Sequence, residues 1–207
     1  MPEGPEVYAL SVALNKIGIN NIPYGKHIYF TDKKEDWSFG LQGKVSIDIS
    51  TKIITHQPIS SNWKTGFIKS FNTNEERIQQ LKLGIDWMTS NNIQQTLEKY
   101  KNSSRTLASI LLDQSIIAGI GVAWGSEILH SCGYKPNDKM NEINVKKLAT
   151  CIIEIREYIR EKYIDYIQKW DYYEFVNGWF GNLYKLREMK VYKKEKSIEI
   201  SGRTWWI

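Results

Sequence analysis

The sequence predicts an α+β fold: an N-terminal helix leads into a small antiparallel β-sandwich, followed by a helical region and a closing β-hairpin. Three observations carry that expectation. Apolar residues recur at helical spacing over residues 7–17 and again from about residue 90 onward. Between these stretches, runs rich in Ile, Val, Phe, Tyr and Thr are cut by Gly25, Gly40, Gly43 and Pro58. The chain closes on two apparent short strands, 190–196 and 197–207.

In the first helix Val7, Leu10, Leu14 and Ile17 share a face, and Gly18 ends it. Such a helix holds the start of the chain at a fixed place on a core. In the sheet region the polar cluster Asp32-Lys33-Lys34-Glu35-Asp36 marks a tight turn. Farther on, Ser103 or Ser104 is expected to cap a helix through Leu107, Ile110, Leu111 and Leu112. A second helix starts after the turn Ala118-Gly119-Ile120-Gly121 and runs to about Cys132, with Gly133 closing it. A third, from about Asn144 to Trp170, carries Val145, Leu148, Ile152, Ile155, Ile159, Tyr163 and Tyr166 on one stripe.

Composition narrows the function classes without choosing among them. The 207 residues can bury a real core, and 42% hydrophobic with 25% charged residues describes an ordinary globular protein. A net charge of +5 suits a polyanionic partner. The 8 Trp and 12 Tyr supply surface for stacking on bases as well as for a core. Cys132 and Cys151 are the only cysteines and form no Cys-x-x-Cys pair. That argues against a disulfide framework or a zinc site and for a reducing, intracellular setting. His27, His56 and His130 are scattered and read as structural. With neither a signal peptide nor an apolar run of spanning length in the sequence, no membrane partner is expected.

The first six residues, Met1-Pro2-Glu3-Gly4-Pro5-Glu6, carry the chemistry. A start Met before the small Pro2 is normally trimmed, which leaves a secondary amine. An α-amino group titrates near about 8 against about 10.4 for lysine, so part of it is neutral at physiological pH. Such an amine can attack an electrophilic carbon and form an iminium, which withdraws electrons from its neighbours. Glu3 adds a carboxyl for proton transfer. Taken alone, Met-Pro is an ordinary start, and Pro5, Glu3 and Glu6 would suit the first turn of a helix.

The whole hexapeptide resembles the N-terminus of the formamidopyrimidine-DNA glycosylase / endonuclease VIII family, and further segments resemble that family in order along the chain. Gly25-Lys26-His27-Ile28-Tyr29-Phe30 is similar to the strand whose Gly-Lys supplies an active-site lysine, here Lys26. Phe39-Gly40-Leu41-Gln42-Gly43-Lys44-Val45 resembles the following strand and turn. There Leu41 matches the apolar residue that fills the space of the extruded base, and Gln42 is its neighbour on the DNA. Leu83-Gly84-Ile85-Asp86 echoes the family's Leu-Gly-x-Asp segment between domains. Leu111 to Gly121, followed by Ser126-Glu127, resembles the helix–two-turn–helix element, in which Gly119 and Gly121 let the backbone approach a phosphate. Glu127 is expected to brace this turn rather than to catalyse. Gly202-Arg203-Thr204-Trp205-Trp206 matches the tip of the family's finger, which makes Arg203 the phosphate-holding arginine. The finger's usual four zinc-binding cysteines are absent, so the resemblance implies a zincless finger. Val122 stands where the family has an asparagine that grips phosphate, a change expected to weaken DNA binding uniformly across sequences.

The resemblance implies three segments: a β-rich catalytic domain over 1–90, a helix–two-turn–helix DNA-binding domain over 91–185, and a zincless-finger hairpin over 186–207. Within the second, residues 177–186 with Trp179 and Phe180 would line a base pocket or simply pack. The implied protein is a monomer acting on duplex DNA with an oxidised base or abasic site. It would need no cofactor and no metal, and would work in the cytoplasm or nucleoid, or in a nucleus. The implied activity is that of a DNA glycosylase with AP lyase activity in base excision repair. Pro2 would form a Schiff base with the sugar, β-elimination would cut the strand, and δ-elimination can follow. Glu3 would move protons, Lys26 and Arg203 would hold the flanking phosphates, and Glu6 would support the site. Two other readings stay open. One is a damaged- or structured-DNA-binding protein of the same scaffold with little or no turnover. The other is an N-terminal-proline tautomerase acting on small molecules.

Overall fold

Where β-forming residues alternate with turn residues, the chain forms strands. In the computed structural model the described residues are 3–5, 8, 27–32, 35–40, 44–48, 53–57, 68–71, 79, 82–168, 189–194 and 196–207. Strands β1 (His27–Asp32), β2 (Glu35–Gly40) and β5 (Ile68–Phe71) form an antiparallel sheet in the order β1-β2-β5. The register sets Asp32 opposite Glu35 and His27 opposite Gly40, so β1 and β2 pair antiparallel up to the polar cluster at 32–36, of which Lys33 and Lys34 lie outside the described residues. β3 (Lys44–Asp48) pairs antiparallel with β4 (Ile53–Gln57), Lys44 facing Gln57. The helix expected over 7–17 lies outside the described residues except for Tyr8, which is helical and buried.

The chain divides into two compact units, residues 1–81 with 162–186 and residues 82–161 with 187–207. The second unit opens with β6 (Ile85–Asp86) and α1 (Ile93–Glu98), then α2 (Leu107–Leu112), β7 (Ile117–Ala118) and α3 (Val122–Cys132). A 3-10 turn (Met140–Glu142) precedes α4 (Val145–Gln168), and β8 (Ser197–Ile200) and β9 (Arg203–Trp206) form the closing hairpin. Burial follows the sequence pattern. Trp87, Met88, Ile93, Leu97, Leu107, Ile110, Ile117, Ile128 and Leu148 are fully covered, removing apolar surface from water at roughly 25 cal/mol per Å². On α4 the expected stripe is buried at Val145, Leu148, Ile152, Ile159 and Tyr163. The Asn144 side chain caps this helix by accepting the Lys147 N–H at 3.0 Å. Gly133 ends α3 in the left-handed region at φ 71°.

Two expectations are corrected. The cap of α2 is Thr106, whose hydroxyl accepts the Ser109 N–H at 3.3 Å, and not Ser103 or Ser104. Ser103 and Arg105 instead pair through their backbone carbonyls with a distant stretch. The Met140 N–H donates to the Arg105 carbonyl at 2.9 Å and the Asn141 N–H to that of Ser103 at 3.0 Å. Thr106 and Lys139 form a further bridge, so the helix begins only where this pairing stops. The closing hairpin also lies later than expected. Both strands fall within 197–206, with Ser197 opposite Trp206 and Ile200 opposite Arg203. Ser201 (φ 52°) and Gly202 (φ 69°) turn the chain between them, two left-handed residues that match the twist of the strands. Residues 190–192 are not a strand, because a carboxylate takes their backbone N–H groups.

Candidate nucleic-acid interface

The turn between α2 and α3 is wired by two consecutive polar residues. Asp113 ends α2, and its backbone carbonyl accepts the N–H groups of Ile116 at 2.9 Å and Ile117 at 3.0 Å. Its carboxylate accepts both the Ser115 N–H and the Ser115 hydroxyl, and on its other oxygen the Arg105 guanidinium at 3.0 Å. The Ser115 hydroxyl holds the Asp113 carboxyl below its usual range; partial burial opposes this and Arg105 assists it. Gln114 then spans the whole loop. Its carbonyl oxygen accepts the Gly119 N–H at 2.8 Å, and its amide nitrogen donates to the carbonyls of Ile120 at 2.9 Å and Leu112 at 3.1 Å. Three backbone groups of an irregular segment are thereby satisfied by one side chain.

Two glycines are fixed by this geometry for different reasons. Gly119 has φ 94°, which a β-carbon makes costly. Gly84 has ordinary torsions but no room, since a β-carbon there would run into the backbone carbonyls of Ser115 and Ile116. The Gly84 N–H donates to the Gln114 carbonyl at 2.8 Å, and β6 runs parallel to β7 with Ile85 facing Ile117. The Leu83–Asp86 segment therefore backs the turn directly. Its far side is fastened by the buried Arg156 of α4, whose guanidinium donates to the Ser90 carbonyl at 2.6 Å and pairs with Glu157 at 2.8 Å.

Helix α3 starts at Val122 after Gly121, which brings no side chain to cap it. Val122 is half-buried, and its side chain has no hydrogen-bonding group. The next turn of α3 receives the closing hairpin. The Trp205 indole lies over Gly125, and Ser126 and Glu127 bond to the backbone around it.

Of the residues expected to form a site, Glu3 is buried, 6% exposed, in the first unit. Gly119, Gly121 and Arg203 lie in the second, Arg203 exposed as the first residue of β9. Pro2, Glu6, Lys26, Leu41 and Gln42 lie outside the described residues, as do Trp179 and Phe180. Glu127 does not brace the Gly119–Gly121 turn as expected; Gln114 does, and Glu127 instead holds residues 190–192. The signal for Gln114 was its place, one residue past a helix end and five before a left-handed glycine. Among the described residues, no group of three or more His, Cys, Asp or Glu could hold a metal ion, and no helix is long and apolar enough to cross a membrane.

No family model matches the chain. A formamidopyrimidine-DNA glycosylase of Prochlorococcus marinus is 34% identical to it over 119 residues, 51% of this chain and 39% of that protein. One from Zymomonas mobilis is 28% identical over 114 residues, 55% of this chain and 42% of that protein. The chain thus spans well under half the length of these curated relatives. Among solved structures, wild-type Lactococcus lactis Fpg (MutM) in complex with a DNA containing an oxidised pyrimidine matches with a TM-score of 0.73 at 18% identity, over 99% of this chain and 97% of that one. The same organism's Fpg with DNA containing an abasic site gives 0.71 at 18% identity, with the same coverage. The chain shares the fold of these structures.

Proposed function

We propose that this chain is a member of the formamidopyrimidine-DNA glycosylase / endonuclease VIII family, a DNA glycosylase that excises oxidised bases and then acts as an AP lyase. The observation that carries this reading is the turn at 113–122, braced by Gln114, in a chain whose relatives are named as DNA glycosylases. Its substrate is duplex DNA with an oxidised base or an abasic site.

In this mechanism the damaged nucleotide leaves the stack, at a cost lowered when the base is already poorly paired. The Pro2 nitrogen attacks C1′ of the sugar as the bond from C1′ to the base breaks, and the base departs with a proton. The C1′–O4′ bond then breaks, O4′ takes a proton as the sugar ring opens, and the iminium left at C1′ acidifies the C2′ hydrogen. Removal of that proton expels the 3′ phosphate by cleavage of the C3′–O bond, and hydrolysis of the imine then frees Pro2. Glu3 is the proton-transfer group. Lys26 and Arg203 hold the flanking phosphates, with Glu6 in support. A guanidinium suits the task because its planar donors take two phosphate oxygens at once.

Borohydride trapping on a duplex with a single abasic site tests the reading. Wild-type protein with a processed terminus should give a covalent adduct, and Pro2→Gly or a retained Met1 should give none. Absence of an adduct with the processed wild type overturns the lyase.

A second reading rests on Val122. Its side chain offers α3 no polar contact for a phosphate, which favours a protein of this scaffold that binds damaged DNA with little turnover. Gel-shift beside nicking assays separates the two: binding without strand cleavage supports the second.

A further inference from the structure

Residues 125–127 of α3 each meet a different part of the C-terminal segment, and Glu127 makes the densest of these contacts. Its carboxylate is 5% exposed. One oxygen accepts the Lys190 N–H at 2.8 Å, and the other accepts the N–H groups of Val191 and Tyr192, both at 2.8 Å. Burying a carboxylate is costly, and three backbone donors at short range offset that cost. From this point contacts continue toward β9. The Tyr192 ring meets Trp206 edge-on, with centroids 4.5 Å apart at 68°. The Trp206 N–H donates to the Ser126 hydroxyl at 3.1 Å, which returns the path to α3. Trp206 lies on the same four-residue strand as Arg203.

We propose that Glu127 is a positioning residue for Arg203: by gathering the backbone of residues 190–192 on one carboxylate, it fixes the base of the hairpin on α3 and so sets where the arginine meets a phosphate. The inference rests on the role given to Arg203 above. A hairpin four residues long in each strand has little stability of its own, so its orientation comes from what anchors it. Three anchors sit on successive residues of one helix, and only that of Glu127 reaches the loop ahead of β8. A glutamine at 127 keeps one acceptor oxygen but turns an amide donor toward the remaining N–H groups. An alanine keeps no acceptor.

A double-mutant cycle tests this, using full-length Glu127→Ala, Glu127→Gln, Arg203→Ala and the two double variants. The probe is a duplex carrying a tetrahydrofuran abasic analogue, and the readout is its dissociation constant. Glu127→Ala should weaken binding about tenfold, and Glu127→Gln by less. Neither should add more than about twofold once Arg203 is alanine, because interacting residues are non-additive. Full additivity in the cycle would assign Glu127 to general stability and overturn the proposal, as would unchanged binding by both single variants. If Glu127→Ala does not fold, Glu127→Gln and its double variant decide the question by the same criterion. Wild-type protein that binds no abasic duplex fails the functional reading itself, an outcome visible before any variant is made.

Discussion

The indole of Trp205 occupies the space that a side chain on Gly125 would need: a β-carbon there would lie 2.9 Å from Cζ3 and 3.0 Å from Cη2 of the ring. Trp205 is fully buried, so the ring has no solvent side to retreat to. Gly125→Ala should therefore displace the hairpin from α3 and cost about 1–3 kcal/mol. Thermal unfolding measures the loss. Glycine costs a helix interior about 1 kcal/mol relative to alanine, so a stabilised variant would mean that the indole moves freely.

Gln114 makes three hydrogen bonds that no single smaller side chain can replace. Gln114→Glu keeps the acceptor for Gly119 but loses both donors, facing a carboxylate with the Leu112 and Ile120 carbonyls. A stability loss of about 2–3 kcal/mol is expected, with weaker duplex binding. Denaturant titration and gel shift read the two effects. Retention of both values would assign the turn's shape to its glycines alone.

The depressed titration of Asp113 has a defined signature. A carboxyl whose folded pKa lies below its unfolded value of 3.8 stabilises the fold above that value and loses the contribution as pH falls through the folded pKa. Asp113→Asn and Ser115→Ala should each flatten the acid side of the stability profile below about pH 4. Near neutral pH they lower stability. Chemical denaturation at a series of pH values provides the comparison.

Val122→Asn introduces an amide at the first residue of α3. Duplex binding should tighten by about threefold to tenfold, uniformly across sequences, as one new phosphate hydrogen bond allows. The salt dependence should stay nearly unchanged because no charge is added. Competition binding at two salt concentrations checks both parts.

Arg156 is the buried tie between α4 and the turn after β6. Arg156→Ala leaves the Ser90 carbonyl without this donor and opens a cavity, at a cost of about 2–4 kcal/mol. Glu157, half-exposed, is resolvated, so its loss of a partner adds little. Calorimetry on the variant gives the value.

What could be read from the sequence divides by the range of the interaction. Helix α3 announces itself because apolar spacing and a closing glycine act within a few residues, α4 through its apolar spacing, and the antiparallel pair β1–β2 because its strand composition is local. The misplaced cap of α2 has the opposite origin. Ser103 and Ser104 have the right chemistry, but Ser103, Arg105 and Thr106 pair with residues 139–141, and nothing near position 103 encodes that. Likewise Glu127 was legible as a structural acid, whereas its partners lie more than sixty residues away. The two-residue parallel pairing of β6 with β7 left no period to detect; only Gly84 hinted at a close approach. The hexapeptide at the chain start is legible through chemistry alone, since a terminal secondary amine is a reactive group wherever it sits.

The joint between α3 and the chain's last segment imposes a sequence in time. Helices α2 and α3 and the turn between them draw mostly on near neighbours and can form early, as local contacts do. Ser126 and Glu127 meanwhile wait for amides that are separated from them by 63 to 80 positions. Until those arrive, a carboxylate destined for the interior stays hydrated, and Trp205 has no slot to enter. Consolidation of the arginine-bearing hairpin is thus expected late in the refolding of this unit, together with the loss of water from a single acidic side chain, an order that pulsed hydrogen exchange at the amides of residues 190–192 would test.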